Sequence, residues 1–330
     1  MPPLRVGVIS IIRSARECVD LAGRVEAAGF WGLGLADTAP KLYQAVYPTV
    51  TASLLATERI MIGPCVSNPV SQHWSVHAAT AKALDELAPG RSFVGLSTGD
   101  GAVHSVGQKP ARWAEVEQAV EAIRQHAPAG TELHVAASGP KGTESAGRVA
   151  SDLTLGVGLD PATIQRFARR ARTARAAAGV AEPLRIWGLT SVHFADTEAD
   201  VPAVRAEVRS LAYGTARFGF AAGFEDKGIP DEWQPLIRER LGRYDFDFHA
   251  RGAGDENPNA RLFEDHPDVE RFLLDRQLVA GTVDQVAERL AGVVRETGVD
   301  GLWISIVPTR PDDDPHELLD RAAAVAARLT

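Results

Sequence analysis

Only two cysteines, Cys18 and Cys65, occur in 330 residues, which excludes a disulfide framework and a four-cysteine metal site and fits a reducing cytoplasm. No dense Lys/Arg block is present, and 43 acidic against 35 basic residues leave a formal charge of -8. A nucleic-acid backbone is therefore not an expected partner. A membrane span needs about 20 consecutive apolar residues, and no such run exists. The opening MPPLRVGVISIIRSARE is too short in its apolar run and charged too early for a signal peptide.

One absence bears on fold. An open doubly wound sheet that binds a dinucleotide needs G-x-G-x-x-G in its first strand-to-helix turn, and the chain has Ser10-Ile11-Ile12-Arg13 there.

What is present is a strand-helix rhythm. Between Arg59 and Gly101 a short apolar run, Ile60 to Gly63, ends at Pro64 and Asn68-Pro69. Val76, Ala79, Ala83, Leu84 and Leu87 then recur at helical spacing up to Pro89-Gly90, and Phe93 to Leu96 is strand again. Strands are expected likewise at Leu4 to Ser10, Phe30 to Ala36, Leu133 to Ala137, Leu153 to Leu155, Leu184 to Phe194 and Gly301 to Val307. Helices fill the gaps, with Asp160-Pro161 and Thr282 as starts. Eight strands alternating with helices predict a closed (β/α)8 TIM barrel, one domain over 1–330. Residues 197 to about 280 break the rhythm with polar, aromatic and Pro/Gly-rich text, and are expected as an insertion between strands seven and eight, a lid or dimer surface.

In parallel α/β folds ligands bind at strand C-termini, which turns attention to the loops there. Ser97-Thr98-Gly99-Asp100-Gly101 offers hydroxyls, a carboxylate and close backbone approach. Asp37 and Asp100 are placed to accept hydrogen bonds from a ligand, and as helix caps they would look similar. Ser138-Gly139-Pro140 and Gly156-Val157-Gly158 precede helices whose free N–H groups can hold a phosphate, the alternative being ordinary tight turns. His73 and His77 have zinc-pair spacing, but Trp74-Ser75-Val76 lacks the glutamate of a hydrolytic site, so no metal is expected. Of the other histidines considered, His104 lies near the expected site, and His134, His249 and His266 read as structural or solvated.

Six segments in order then carry a resemblance: Gly34-Leu35-Ala36-Asp37-Thr38, Ile62 to His73, Leu84 to Arg91, Gly99 to Val103, Ala136-Ala137-Ser138-Gly139-Pro140 and Ala280-Gly281-Thr282. The chain resembles the bacterial luciferase-like flavin and deazaflavin oxidoreductases, in particular the methylenetetrahydromethanopterin reductase branch. The resemblance implies a ring at the barrel mouth against Cys65, Val66, Ser67, Asn68, Thr98 and Gly99, with its phosphate on Ala137-Ser138-Gly139-Pro140 and Gly156-Val157-Gly158. It also implies a cis peptide at Cys65-Val66. Many members carry a histidine after the aspartate of strand two, where this chain has Thr38; Asp37, Thr38 and Asp100 are the residues expected near the chemistry. The expected cofactor is F420, with hydride transfer to or from a small organic substrate. The alternatives are an FMN-dependent monooxygenase and a barrel that has lost catalysis and serves as a partner subunit. A cytoplasmic homodimer is the expected state.

Overall fold

The computed structural model describes residues 3–37, 44–104, 106–248, 256–306, 308 and 313–329. Thr38 and His249 lie outside the described residues.

The chain runs β1 (Arg5–Ile11), α1 (Ala15–Ala27), β2 (Gly32–Ala36), α2 (Val46–Leu55), β3 (Met61–Pro64), α3 (Trp74–Leu87) and β4 (Phe93–Leu96). It continues as α4 (Asp100–His104), α5 (Trp113–His126), β5 (Glu132–Ala137), α6 (Pro140–Val149), β6 (Asp152–Leu155), α7 (Pro161–Ala177) and β7 (Arg185–Phe194). Then come α8 (Val201–Gly219), α9 (Gln234–Gly242), α10 (Pro267–Gln277), β8 (Leu278–Gly281), α11 (Val283–Thr297), β9 (Gly301–Ser305) and α12 (Pro315–Ala326). Several helices begin where short polar side chains satisfy free backbone N–H groups: Ser14 accepts from Glu17, Asp160 from Thr163, and Thr282 from Gln285.

All strand pairings are parallel, in the order β3-β2-β1-β9-β7-β6-β5-β4. The ends meet through bridges from Ile62 to Ser92 and from Ser67 to Leu96. Ser67 N–H donates to the Gly95 carbonyl at 2.8 Å and accepts at its own carbonyl from Ser97 N–H at 2.9 Å. Eight strands thus close into the expected (β/α)8 barrel. No described helix is long and apolar enough to cross a membrane.

Two features differ from the sequence expectation. The loop after β4 contains a short helix, α4. Among its described residues the excursion holds three α-helices and ends in β8, which pairs with β7 from Ser191 to Phe194, beyond the residues that pair with β6. The last barrel strand is therefore the ninth along the chain. Around α8, α9 and α10 a second apolar cluster forms from Val204, Val208, Tyr213, Ile237, Phe263 and Leu273, among others.

Apolar residues fill the space between strands and helices, as a doubly covered sheet requires. The barrel interior is different. Its lower half holds Trp31, Phe93, His134, Trp187 and Trp303, with Trp187 stacked on Trp303 at 4.9 Å and Phe93 on His134 at 4.5 Å between ring centroids. Glycines make room for these rings: a β-carbon on Gly7, Gly63 or Gly301 would overlap Trp303, Phe93 or Trp187. Large side chains thus stand opposite positions that carry none, the pairing that lets a small barrel fill its interior.

Candidate functional site

Above the aromatic floor the inner wall is made of small and polar residues. Side chains alternate along a strand, so Trp187 in the interior puts Leu189, Ser191 and His193 on the same inner face, while Ile186, Val192 and Phe194 belong to the outer core. The same alternation from Phe93 leads to Gly95 and Ser97, from His134 to Ala136 and Ser138, and from Asp152 to Thr154 and Gly156. The result is a recess at the C-terminal ends of the strands.

One side of the recess is built after β3. The Cys65-Val66 peptide is cis, as the resemblance implied. Burial pushes the Cys65 thiol up to about 12, so this cysteine is an apolar filler rather than a thiolate. Ser67 Oγ donates to Asp37 Oδ2, which also accepts from Gln72 Nε2 at 2.9 Å. Burial raises the Asp37 carboxyl above its usual range, and these two hydrogen bonds act against the rise.

Asn68 is 1% exposed. Its Oδ1 accepts from the backbone N–H groups of Val70 and Ser71 at 3.0 and 2.8 Å, while its Nδ2 is buried without a partner. Behind it His77 Nε2 faces the Asn68 carbonyl at 3.4 Å, and His77 Nδ1 faces the Tyr47 hydroxyl at 2.5 Å. Burial lowers the His77 imidazole to about 4, so it stays neutral and braces this loop. His73 turns away to cap α3, which separates the two histidines that shared zinc spacing.

The loop after β4 closes against Asn68. Gly99 has φ +89°, and a β-carbon there would lie 2.7 Å from Asn68 Cγ, so only glycine fits both demands. Thr98 accepts at its carbonyl from Ala111 N–H at 2.9 Å. Asp100 opens α4, with His104 Nε2 3.3 Å from its Oδ1. Asp37, Cys65 to Asn68 and Thr98 to Asp100 are thus brought together.

The loops after β5 and β6 come next around the barrel, β5 pairing with β4. Gly139 caps α6 and Pro140 begins it, leaving free N–H groups. Gly156 N–H donates to the Ala137 carbonyl at 3.0 Å, which joins the two loops. Val157 is fully buried, and Gly158, at φ +79°, passes so close to the Arg276 carbonyl that a β-carbon would lie 2.5 Å from it. The excursion sits on both loops: Ser138 Oγ donates to the Phe218 carbonyl at 3.1 Å, and a β-carbon on Gly139 would come 2.5 Å from Ala222 Cβ. Beside Gly219 lies Gln277, fully buried with neither amide atom partnered.

Two groups escaped the sequence reading, His193 and Gln277. Period-two alternation from Trp187 would have marked His193; Gln277, at the end of a helix in the excursion, gave no signal. A separate cluster of Glu132, His134 and Asp152 lies at the N-terminal ends of the strands, its ligand atoms within 4.8 Å of one another. Arg5 and Arg185 engage its carboxylates, so it is an ion-pair network away from the mouth. A cavity of about 470 Å³ between α1, α12 and the end of β1 touches none of the expected site residues.

Among the solved structures that share this fold, at identities too low to show more than the fold, are the following three. The coenzyme F420 dependent tetrahydromethanopterin reductase from Methanopyrus kandleri superposes with a TM-score of 0.74 at 15% identity, over 97% of each chain. An F420-dependent secondary alcohol dehydrogenase in complex with an F420-acetone adduct gives 0.73 at 14% identity, over 99% of each chain. The oxygenating constituent of 3,6-diketocamphane monooxygenase from Pseudomonas putida, in complex with FMN, gives 0.65 at 18% identity, again over 99% of each. The sequence profile of the luciferase-like monooxygenase family matches residues 4–133 and 125–301. With most of its length matched and its barrel in place, this chain belongs to the luciferase-like monooxygenase family of oxidoreductases.

Proposed function

We propose that the chain is a hydride-transferring oxidoreductase that holds the deazaflavin F420 in the recess above the aromatic floor. The observation that carries this reading is the convergence of the loop after β3 and the Gly99 loop beside the Gly139 start of α6 and the Gly156-Val157-Gly158 loop joined to it. In this reading the ring rests against Cys65, Val66, Ser67, Asn68, Thr98 and Gly99, and the phosphate lies on Ala137-Ser138-Gly139-Pro140, where the N–H groups at the start of α6 favour an anion, and on the neighbouring Gly156-Val157-Gly158 loop. The chain fits such a group. Asn68 Nδ2 and the Gln277 amide are buried polar atoms that lack partners, a costly state that a polar ligand would relieve.

When bound, the deazaflavin supplies a two-electron hydride carrier. The protein contributes position and a dry, shaped recess. Asn68 is held from behind by His77 and Tyr47, and Asp37 is held by Ser67 and Gln72. The segments around Ser67-Asn68-Pro69 and Gly99-Asp100 resemble the reductase branch, which favours F420 over FMN. In titrations of the purified chain, F420 fluorescence should be quenched or polarised at micromolar protein while FMN competes poorly. Tight FMN binding with oxygen uptake matching reduced FMN would move the enzyme to the monooxygenase reading.

The excursion belongs in this proposal to the barrel as a cover over the recess, within one domain and at the interface of a homodimer. What supports the cover is its seat on Ser138, Gly139 and Gly156. Residues 197–280 expressed alone should therefore show no cooperative melting by circular dichroism. A sharp transition would make the segment a separate domain.

A further inference from the structure

We propose that the substrate of this chain is an uncharged molecule with an apolar body, held beneath the Leu211, Thr215 and Phe218 stripe of α8, with Leu211 and Phe218 setting which bodies fit. The inference rests on the cofactor reading above and adds the substrate class of that same recess.

The stripe follows from helix geometry. Side chains three and four residues apart share one face, so Leu211, Thr215 and Phe218 line up along α8. Their neighbours Ala212, Tyr213, Gly214 and Ala216 are buried, whereas these three are only partly buried. The supports at either end show what this face looks at. One and two turns before Leu211, Val208 and Val204 join Ala195 and Leu278 in the apolar cluster beside β7 and β8. At the other end the Phe218 ring fits against Gly101, where a β-carbon would lie 3.2 Å from Phe218 Cε1, and the Phe218 carbonyl accepts from Ser138 Oγ. From Val204 to Phe218 a helix advances about 20 Å. α8 therefore crosses the mouth from β7 to the loops after β4 and β5, with Leu211 and Thr215 between its supports.

The hydroxyls around this stripe have no hydrogen to spare. Each carries one. Thr215 Oγ1 donates its hydrogen to the Leu211 carbonyl at 3.0 Å, Ser97 Oγ to the Ala136 carbonyl at 2.9 Å and Ser138 Oγ to the Phe218 carbonyl. Below them, Leu189 and Ile9 add partly buried apolar surface above the aromatic floor. Charged neighbours on α8 are turned aside or taken. Arg217 stands about 100° round the helix from Phe218, and its guanidinium lies over the Phe246 ring, 5.9 Å from the centroid. Glu207, one turn before Leu211, is already engaged.

Charge decides the class. A carboxylate or phosphate under this roof would meet hydroxyls whose hydrogens are spent and no cationic side chain on the stripe. An ammonium would meet Leu211, Phe218, Leu189 and Ile9. Either would be a desolvated charge without a partner, which is costly. The carboxylates that border the recess are committed: Asp37 accepts from Ser67 and Gln72, and Asp100 Oδ1 lies 3.3 Å from His104 Nε2. An uncharged apolar body avoids that cost and covers the open faces of Leu211 and Phe218, a gain that grows with the area covered. It would lie with one face on α8 and the other toward the ring proposed against Val66 and Asn68.

The test uses the whole chain and three probes that share a naphthalene body: 2-acetylnaphthalene, which is uncharged, 2-naphthoate and (2-naphthyl)methylammonium. Titration calorimetry on the F420-loaded protein should show the uncharged probe binding at least tenfold more tightly than either ion. Leu211→Trp, which fills the space under the roof, should weaken the uncharged probe at least tenfold while F420 affinity stays at the wild-type value, a split that a merely structural role would not give. Phe218→Ala, which opens one end of the roof, should weaken the same probe several-fold. Equal or tighter binding of either ion, no binding of the uncharged probe, or wild-type affinity for it in both variants would overturn the inference and leave the cofactor reading intact. Failure of the wild-type chain to bind F420 would instead bring down the cofactor reading, and the same three titrations on the protein without cofactor would then decide this one.

Discussion

Replacing Asp152 by alanine is expected to lower the stability of the barrel by about 3 to 5 kcal/mol, the usual cost of breaking a buried ion pair from one side. Asp152 is fully buried at the start of β6. Its Oδ1 accepts from Arg185 Nε and Trp187 Nε1, each at 2.7 Å, and its Oδ2 accepts from Arg185 Nη2 at 2.6 Å. Alanine would leave the indole N–H of Trp187 unpaired in the barrel interior and remove one of the two carboxylates that neutralise Arg185, the other being Glu132. A typical domain is stable by only about 5 to 15 kcal/mol, so the loss would be a large fraction of the total.

The same carboxylate sets a pH signature. Burial works against ionisation of Asp152, but His134, Arg185 and Trp187 outweigh it and hold its folded pKa below the usual range; Glu132 is likewise held low despite burial, by His134 and Arg185. A depressed folded pKa contributes stability that is fully present above the unfolded value, near 4, and is lost as pH falls through the folded value. The gap between wild type and Asp152→Ala in urea midpoint should therefore be full at pH 7 and close below about pH 4. A gap that is absent at pH 7, or that widens in acid, would show that the network carries no such weight.

The second large effect is expected at Gly156, on cofactor affinity rather than stability. A β-carbon there would have Ser138 Cβ at 3.8 Å and the Ala137 carbonyl at 4.0 Å as nearest neighbours, ordinary contact distances, and would point into the recess. Gly156→Ala should thus keep stability within about 0.5 kcal/mol while placing a methyl where the cofactor phosphate is proposed to sit. Affinity for F420 should fall at least tenfold, about 1.4 kcal/mol. Gly139→Ala is the instructive contrast. Its methyl would press on Ala222, so it should disturb the seat of the excursion as well as the ligand. Fluorescence titration paired with thermal melting separates the two, and an unchanged affinity in Gly156→Ala would remove this loop from the site.

Most of the barrel was legible because its signals are local. Phe93 to Leu96 is bounded by Pro89-Gly90 on one side and Gly99 on the other, and the strand occupies those four residues. Ser14, Asp160 and Thr282 carry their cap function in their own side chains. The loops that form the recess could be picked out for the same reason: a glycine at φ +89° announces itself.

Other parts were not local. Leu278–Gly281 is too short to show a period and becomes a strand only because β7 runs on past β6 and offers it an edge. In α8, Val204, Val208, Ala212 and Ala216 do recur every four residues on the buried side, but the intervening arginines, glutamate and glycine hid the stripe among polar text. His193 was missed because both faces of β7 are covered, so apolar residues on each face conceal which one looks inward.

The aromatic filling of the lower barrel has a consequence for traffic. Trp31, Phe93, His134, Trp187 and Trp303 stopper the axis above the Glu132, Asp152 and Arg185 network, so the recess has one doorway. Two molecules sharing a single doorway must pass it in turn, and the one nearer the floor is walled in by the one that follows. A ring lying deep against Val66 and Asn68 would be loaded first and stay through many rounds, while the smaller molecule comes and goes above it. With the proposed cofactor in place, such an enzyme would run as an ordered queue, in which the occupant that entered last is the first to leave.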